Sequence, residues 1–286
     1  MSTPPVAVPS RRWGATDLRS GVDFATMMCL EVVGDDVFMA HGPRYPWGGL
    51  YGGQIVAQGL RAGAATVDER YRIHSLHAYF LRRGDDQEPI RFEVTRSRDG
   101  RSFVTRTVVA RQAVGVILTM SLSFQVDEAG HDVQIARLPA IAAPDELVDT
   151  SWSAMFERRF AAERGVEEGK AQAWLRLHDD PGDDAVLHAC ALAYLSDDLP
   201  TDAVVALHPD RPAAGGGDPY EHGWMSASLD HAIWFHRPCV ASAWHVHDCT
   251  SIGYLSSRGL TIGNVLSADG VHVATFAQEV LLRRER

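Results

Sequence analysis

SASLDHAIWFHRPC, residues 226–239, and HSLHAYFLRRG, residues 74–84, read as two versions of one strand. Each alternates large apolar side chains with polar ones and runs into an arginine, as a β-strand with one face on a core does. The downstream version carries more chemistry, with Asp230, His231, His236 and Arg237 set among four large apolar residues. His77-Ala78 corresponds to His231-Ala232, and Arg83 to Arg237, at one constant spacing; Gly115-Val116 corresponds to Gly270-Val271 at a spacing one residue longer. A spacing held over roughly 40 residues implies a duplicated unit whose two halves bury one core.

The segments around these strands extend the pattern. GVDFATMMCLEVVGDDVFMAHG (21–42) predicts two strands joined by GDD. GQIVAQGLRAGAATV (53–67) is small and apolar nearly all round, which predicts a buried helix. Strands follow at 71–84, 90–100, 101–112 and 114–125, rich in β-branched and aromatic residues and separated by turns such as SRDGRS. Residues 126–149 hold two prolines and little periodicity and read as a connection. The programme then restarts with a strand at 171–177, a helix at 183–198 and acids at its N-terminus. A Pro/Gly loop at 210–224 and strands at 225–237, 242–251, 258–270 and 271–284 complete it. Helix then sheet, twice over, is an α+β arrangement. The expected organisation is a flexible arm at 1–15, a first unit at 16–125, a linker at 126–150 and a second unit at 151–286.

Bulk properties narrow the function. The chain has 286 residues, enough for one large domain or two small ones. Net charge is −10, so no basic footprint exists for nucleic acid or an anionic membrane. No apolar run approaches the roughly 20 residues that span a bilayer, and MSTPPVAVPSRRWG lacks the apolar stretch of a secretory signal. Four cysteines without a CxxC spacing give no support to a metal or redox motif. These features predict a cytoplasmic protein with free, mostly buried thiols.

LYGGQIVAQGL, HSLHAYFLRRGD, RDGRSFVTRTV, SLDHAIWFHRP and DGVHVATFAQEVLLR together resemble the acyl-CoA thioesterase II family, over residues 47–125 and 185–286. The resemblance implies a double hotdog: two tandem units, each a long central helix wrapped by a curved antiparallel β-sheet. It implies hydrolysis of acyl-CoA to free fatty acid and CoA, without cofactor or metal. Hotdog proteins generally associate through their sheets, which implies a homo-oligomer, a dimer or tetramer. The family's catalytic Asp, hydroxyl and Gln fall on Asp197 in LAYLSDD, Ser228 in SASLDH and Gln278 in FAQEV. Asp198 is the alternative carboxylate, and Val280 stands where the family usually has glycine.

The residue chemistry fits that assignment. A thioester carbonyl is electrophilic, so hydrolysis needs a positioned water and a group to take its proton. Ser228 and Gln278 both donate and accept hydrogen bonds, which suits them to fixing one water beside Asp197. Gly53 and Gln54 in GGQ are candidates for the oxyanion and substrate, because backbone N–H groups near a helix N-terminus bind anions. Ser228 as covalent nucleophile is the rival reading, although SASLD is no G-x-S-x-G elbow. Plain alternation puts Ser228, Asp230, Ala232 and Trp234 on one strand face and His231 on the other, with His231, His236 and Arg237 in structural roles. The longer of the two repeat spacings, the one that relates Gly115 to Gly270, puts Ser123 at the upstream counterpart of Gln278. Arg98, Arg101 and Arg258 are candidates for the CoA phosphates, with Arg82, Arg83, Arg96 and Arg106 also available. Two other functions share the scaffold: an enoyl-CoA hydratase, for which Asp202 and His208 are a loose pair, and a non-catalytic acyl-CoA binder.

Overall fold

The computed structural model describes residues 23–45, 47–161, 169–211 and 223–284; the expected arm at 1–15 and most of the loop at 210–224 lie outside them. The described residues open with a single helical turn, α1 (Phe24–Met27), where the sequence predicts strand. Asp23 explains the difference, because its side chain accepts from the Thr26 N–H at 2.6 Å and caps the turn. The expected hairpin begins later, as β1 (Glu31–Gly34) and β2 (Val37–Ala40) around Asp35-Asp36.

Helix α2 (Gly52–Ala64) follows, and most of its residues are buried, as its lack of a polar face requires. Strands β3 (Tyr71–Phe80), β4 (Ile90–Asp99), β5 (Phe103–Gln112) and β6 (Gly115–Val126) come next. The connection leads to β7 (Phe156–Phe160), which sequence reasoning missed, and β8 (Lys170–Leu177). Helix α3 (Ala185–Leu195) starts at Asp184, whose carboxylate accepts from the N–H groups of Val186 and Leu187. A break at Ser196–Leu199 precedes a further helix, α4 (Pro200–Leu207), also unforeseen. The predicted strand at 225–237 is two pieces, β9 (Trp224–Ser228) and β10 (Asp230–Phe235). Strands β11 (His245–Leu255), β12 (Arg258–Ser267) and β13 (His272–Arg284) close the described chain. None of the described helices is long and apolar enough to cross a membrane. Cys190 and Cys249 are buried free thiols and Cys239 is half-buried, but Cys29 is exposed.

All strand pairs are antiparallel, in the order β1-β2-β4-β5-β6-β3-β10-β13-β12-β11-β8-β7, with β9 beside β13. That order is a palindrome: each strand before the β3–β10 contact has a counterpart at the mirrored place after it. Helix α2 lies on β2 to β6, α3 packs along α2, and α4 covers β8 and β11 to β13.

The β3–β10 register corrects the sequence alignment of the two halves. His77 pairs with Ala232, and His231 with Ala78. His77 is exposed, whereas His231 and Ala78 are buried. Side chains alternate faces along a strand, so the two histidines are not counterparts. Ala232 is the counterpart of His77, and the spacing read from sequence is one residue short. The bulges agree. The β3–β6 register slips between Ile73 and Ser75. From Ser228 to Ala232 the β9–β10 edge advances four residues while β13 advances three, from Val280 to Ala277.

Candidate active site

Three chain segments far apart in sequence meet at one carboxylate. Asp197 follows α3 and is 8% exposed. Its Oδ2 accepts from the Gly53 N–H at 2.8 Å, at the N-terminus of α2. Its Oδ1 accepts from Gln278 Nε2 on β13 at 2.8 Å and from the Ser228 hydroxyl at the end of β9 at 3.1 Å. Gln278 Nε2 also donates to Ser228 Oγ at 2.6 Å. Burial pushes the Asp197 carboxyl up to about 6, against the opposing pull of its bonds to Gln278, Gly53 and Ser228. A carboxylate held there is mostly ionised at neutral pH yet basic enough to take a proton.

The GG of GGQ makes this approach possible. A Cβ on Gly53 would stand 2.3 Å from the Tyr194 carbonyl oxygen, and one on Gly52 would stand 2.7 Å from Asp197 Oδ2. Only glycine lets α2 and α3 lie this close with the carboxylate against the helix terminus.

Asp198 is engaged elsewhere. It pairs with the buried Arg158 guanidinium at 3.1 Å and accepts from the Trp152 indole N–H. Arg158 belongs to β7 and Trp152 to the connection before it, so nothing near LSDD in the sequence distinguishes the two acids. Both backbone N–H groups expected to serve the oxyanion have partners within the protein, that of Gln54 being the Tyr51 carbonyl oxygen at 3.2 Å. The Gly53 N–H is committed to Asp197, and the buried Gln54 side chain donates to Gln58 Oε1 at 3.2 Å. Asp230, which plain alternation puts on the same face as Ser228, instead accepts at Oδ1 from the Glu279 N–H at 2.7 Å, bracing the bulge.

The bulge at Leu229 also overturns the expected placement of His231. The extra residue flips the pleat, so His231 points to the same side as Ser228. Its Nδ1 lies 2.6 Å from Gln278 Oε1 and its Nε2 lies 2.9 Å from Ser196 Oγ. The upstream half offers no second copy. By register, the counterparts of Ser228, His231 and Gln278 are Ile73, Leu76 and Leu122, not Ser123, which faces outward beside exposed Ser121. Where Asp197 follows α3, Thr66 follows α2, and its hydroxyl accepts from buried Arg106 at 2.8 Å. Asp202 and His208, the loose hydratase pair, belong to α4 and its end, where His208 packs between the Trp224 and Tyr254 rings at 4.4 and 4.7 Å.

Two family models match, the acyl-CoA thioesterase N-terminal domain over residues 41–125 and the acyl-CoA thioesterase C-terminal domain over residues 135–282. The chain belongs to the acyl-CoA thioesterase family. A family relative, acyl-CoA thioesterase 2 of Haemophilus influenzae, is 32% identical over 281 residues, covering 90% of this chain and 96% of that one. The solved structure of the acyl-CoA thioesterase II TesB2 from Mycobacterium marinum superposes with a TM-score of 0.78 at 35% identity, covering 92% of this chain and 97% of that one. A protein with a hot dog fold from Alicyclobacillus acidocaldarius superposes at 0.76 with 18% identity, covering 92% and 98%, a likeness of fold alone. The thioesterase chain therefore has a hotdog fold built on one large antiparallel sheet.

Within this family member the candidate phosphate-binding arginines are scattered. Arg98 and Arg101 flank the β4–β5 turn, where the Tyr71 hydroxyl meets the Gly100 and Arg101 carbonyls. Tyr71 begins β3 and Phe80 ends it beside Leu229, so the site is roughly 30 Å away along the strand. Arg258 is closer but pairs with Glu279 at 2.8 Å on the outer face. Arg82 and Arg83 follow Phe80 directly at the site end of β3, both exposed.

Proposed function

We propose that the protein hydrolyses acyl-CoA thioesters to free fatty acid and CoA by direct attack of water, with Asp197, Ser228 and Gln278 as the catalytic residues. The observation that carries this reading is the convergence of Ser228 and Gln278 on one buried carboxylate whose proton affinity burial has raised. Water adds to the carbonyl carbon and its proton passes to Asp197. The tetrahedral intermediate then collapses, the C–S bond breaks, and the proton goes to the departing CoA thiolate. Ser228 Oγ, already accepting from Gln278 and donating to Asp197, has one acceptor site left to orient the water. We assign the CoA phosphates to Arg82 and Arg83 in preference to Arg98, Arg101 and Arg258; both are exposed at the same end of β3, each donating one bond to a carbonyl, of Val116 and Trp47.

We read the chain as a double hotdog, with units at 16–125 and 151–286 joined by 126–150. The palindromic strand order supports this, with α2 as the first unit's helix and α3 with α4 as the second's. Exposed Tyr79, Trp234, Leu260 and Ile262 on the sheet support self-association into a dimer or tetramer, which light scattering reads directly. The acidic charge and four free thiols fit a cytoplasmic setting.

One observation favours a second reading. The Ser228 hydroxyl sits 3.1 Å from Asp197 Oδ1, within reach of a base that would activate it as a nucleophile. Release of free CoA from saturated acyl-CoA tests the activity; a hydratase or a binder releases none. Asp197→Ala, Ser228→Ala and Gln278→Ala should each cut the rate by about 100-fold with the fold intact. Full activity in all three would remove the site assignment. Intact-mass analysis during turnover of a slow substrate should show no acyl adduct; an adduct on Ser228 would establish the covalent route.

A further inference from the structure

We propose that His231, held by Ser196, is a positioning residue that fixes the amide orientation of Gln278 and so aims its two N–H donors at Asp197 and Ser228. The inference rests on the reading of Gln278 as a site residue.

Donor and acceptor bookkeeping around the amide has one solution. The Asp197 carboxylate only accepts, so the Gln278 group facing it at 2.8 Å is Nε2. The second hydrogen on Nε2 goes to Ser228 Oγ at 2.6 Å, because the Ser228 proton points to Asp197. Oε1 then faces away, 2.6 Å from His231 Nδ1. A carbonyl oxygen cannot donate, so Nδ1 carries the proton. Nε2 of a neutral ring is left as an acceptor 2.9 Å from Ser196 Oγ, so the one Ser196 hydroxyl proton goes to Nε2 in preference to the Ala193 carbonyl, its other acceptor at 3.0 Å. Burial keeps the ring neutral by driving its pKa down to about 4. Ser196, His231 and Gln278 are at most 1% exposed, so no bulk water can substitute for a lost bond.

Without His231 the amide has no reason to prefer this orientation. Rotated by half a turn, Gln278 would set its carbonyl oxygen against the carboxylate and repel it. The counterpart position in the upstream half is Leu76, fully buried in the same kind of strand, so the scaffold accepts leucine here.

The test is a set of full-length variants assayed for CoA release across pH. His231→Leu should lower kcat on the order of 10- to 100-fold with KM unchanged and move the acidic limb to higher pH, since a released Gln278 no longer favours ionised Asp197. The other charges near that carboxylate, Asp198 and Arg158, stay paired and are untouched. His231→Asn places an amide nitrogen where Nδ1 stands and should restore most of kcat. His231→Gln places it where Nε2 stands and should not. In the unaltered protein, ¹⁵N spectra of labelled histidine should show a neutral Nδ1–H tautomer for His231 at pH 7. Wild-type kcat and pH profile in His231→Leu, equal losses in the Asn and Leu variants with the acidic limb unmoved, or an Nε2–H tautomer would each overturn the proposal. Full activity in Gln278→Ala would overturn it together with the site reading. Loss in Gln278→Ala with none in His231→Leu would overturn this inference alone.

Discussion

On the proposed mechanism, Asp197 carries the pH behaviour of the site. Its carboxyl titrates at about 6, raised from 3.8 mainly by burial. The ionised form is the one that can accept the proton of water. Thus kcat/KM should rise as pH passes through about 6 and stay level above it, which a pH–rate profile with a soluble acyl-CoA checks. An acidic limb at 4 would mean the carboxylate is more hydrated than the structure has it. The stability sign is opposite. Between 3.8 and about 6 the folded chain holds a proton that the unfolded chain has lost. The stabilisation from this group is therefore fully present below 3.8 and disappears as pH rises through 6. At this scale the family motifs pointed to Asp197, Ser228 and Gln278, three side chains that the structure brings into mutual contact. The sequence was silent on the choice between Asp197 and Asp198, because that choice is made by Arg158 from a strand the periodicity did not reveal. FERRF has two adjacent arginines where alternation calls for one apolar face, and Arg158 is buried because Asp198 and the Thr150 carbonyl together partner its guanidinium.

Elements place the site through two local irregularities. One is the close approach of α2 to α3 at Gly53. Gly53→Ala should destabilise the protein by about 1–3 kcal/mol, since the new methyl meets backbone at the Tyr194 carbonyl. It should also lower activity, by pushing the α2 N-terminus off Asp197; thermal melting and CoA release check the two effects separately. A variant with unchanged melting would show that the helices can part freely. The other irregularity is the bulge at Leu229. Alternation across 225–237 correctly announced a strand but put His231 on the wrong face. A bulge adds a residue without any glycine or proline to mark it here, and every face assignment beyond it inverts. Ser123 looked like the counterpart of Gln278 for a different reason, a repeat spacing one residue too short along β6 and β13. Helix α2 was legible because its small apolar residues leave no polar face. Helix α4 was not, because PTDAVVALHPD sits between prolines and reads as loop.

Across the whole molecule the halves share a plan but not an interior. His245 and His247 on β11 occupy the places of Ile90 and Phe92 on β4. Both His247 nitrogens and His245 Nδ1 are buried without a hydrogen-bond partner among the described residues. Burial holds His231 and His245 down at about 4 and His247 at about 3. Below 6.5 the unfolded chain gains protons that these folded imidazoles refuse, so melting temperature should fall as pH drops from 6.5 through 4. His247→Phe, copying Phe92, removes two unpartnered nitrogens and should add about 1–2 kcal/mol and weaken that pH dependence; calorimetry at pH 7 and pH 5 checks both. The β3–β10 contact has a consequence for any attempt to divide the protein. It joins two edges whose paired positions His77 and Ala232 straddle a local two-fold axis. A fragment ending after β6 would bare the β3 edge, and that edge is already shaped to receive an antiparallel neighbour. Two such fragments would zip together with His77 facing His77, a self-made pair standing in for the severed one.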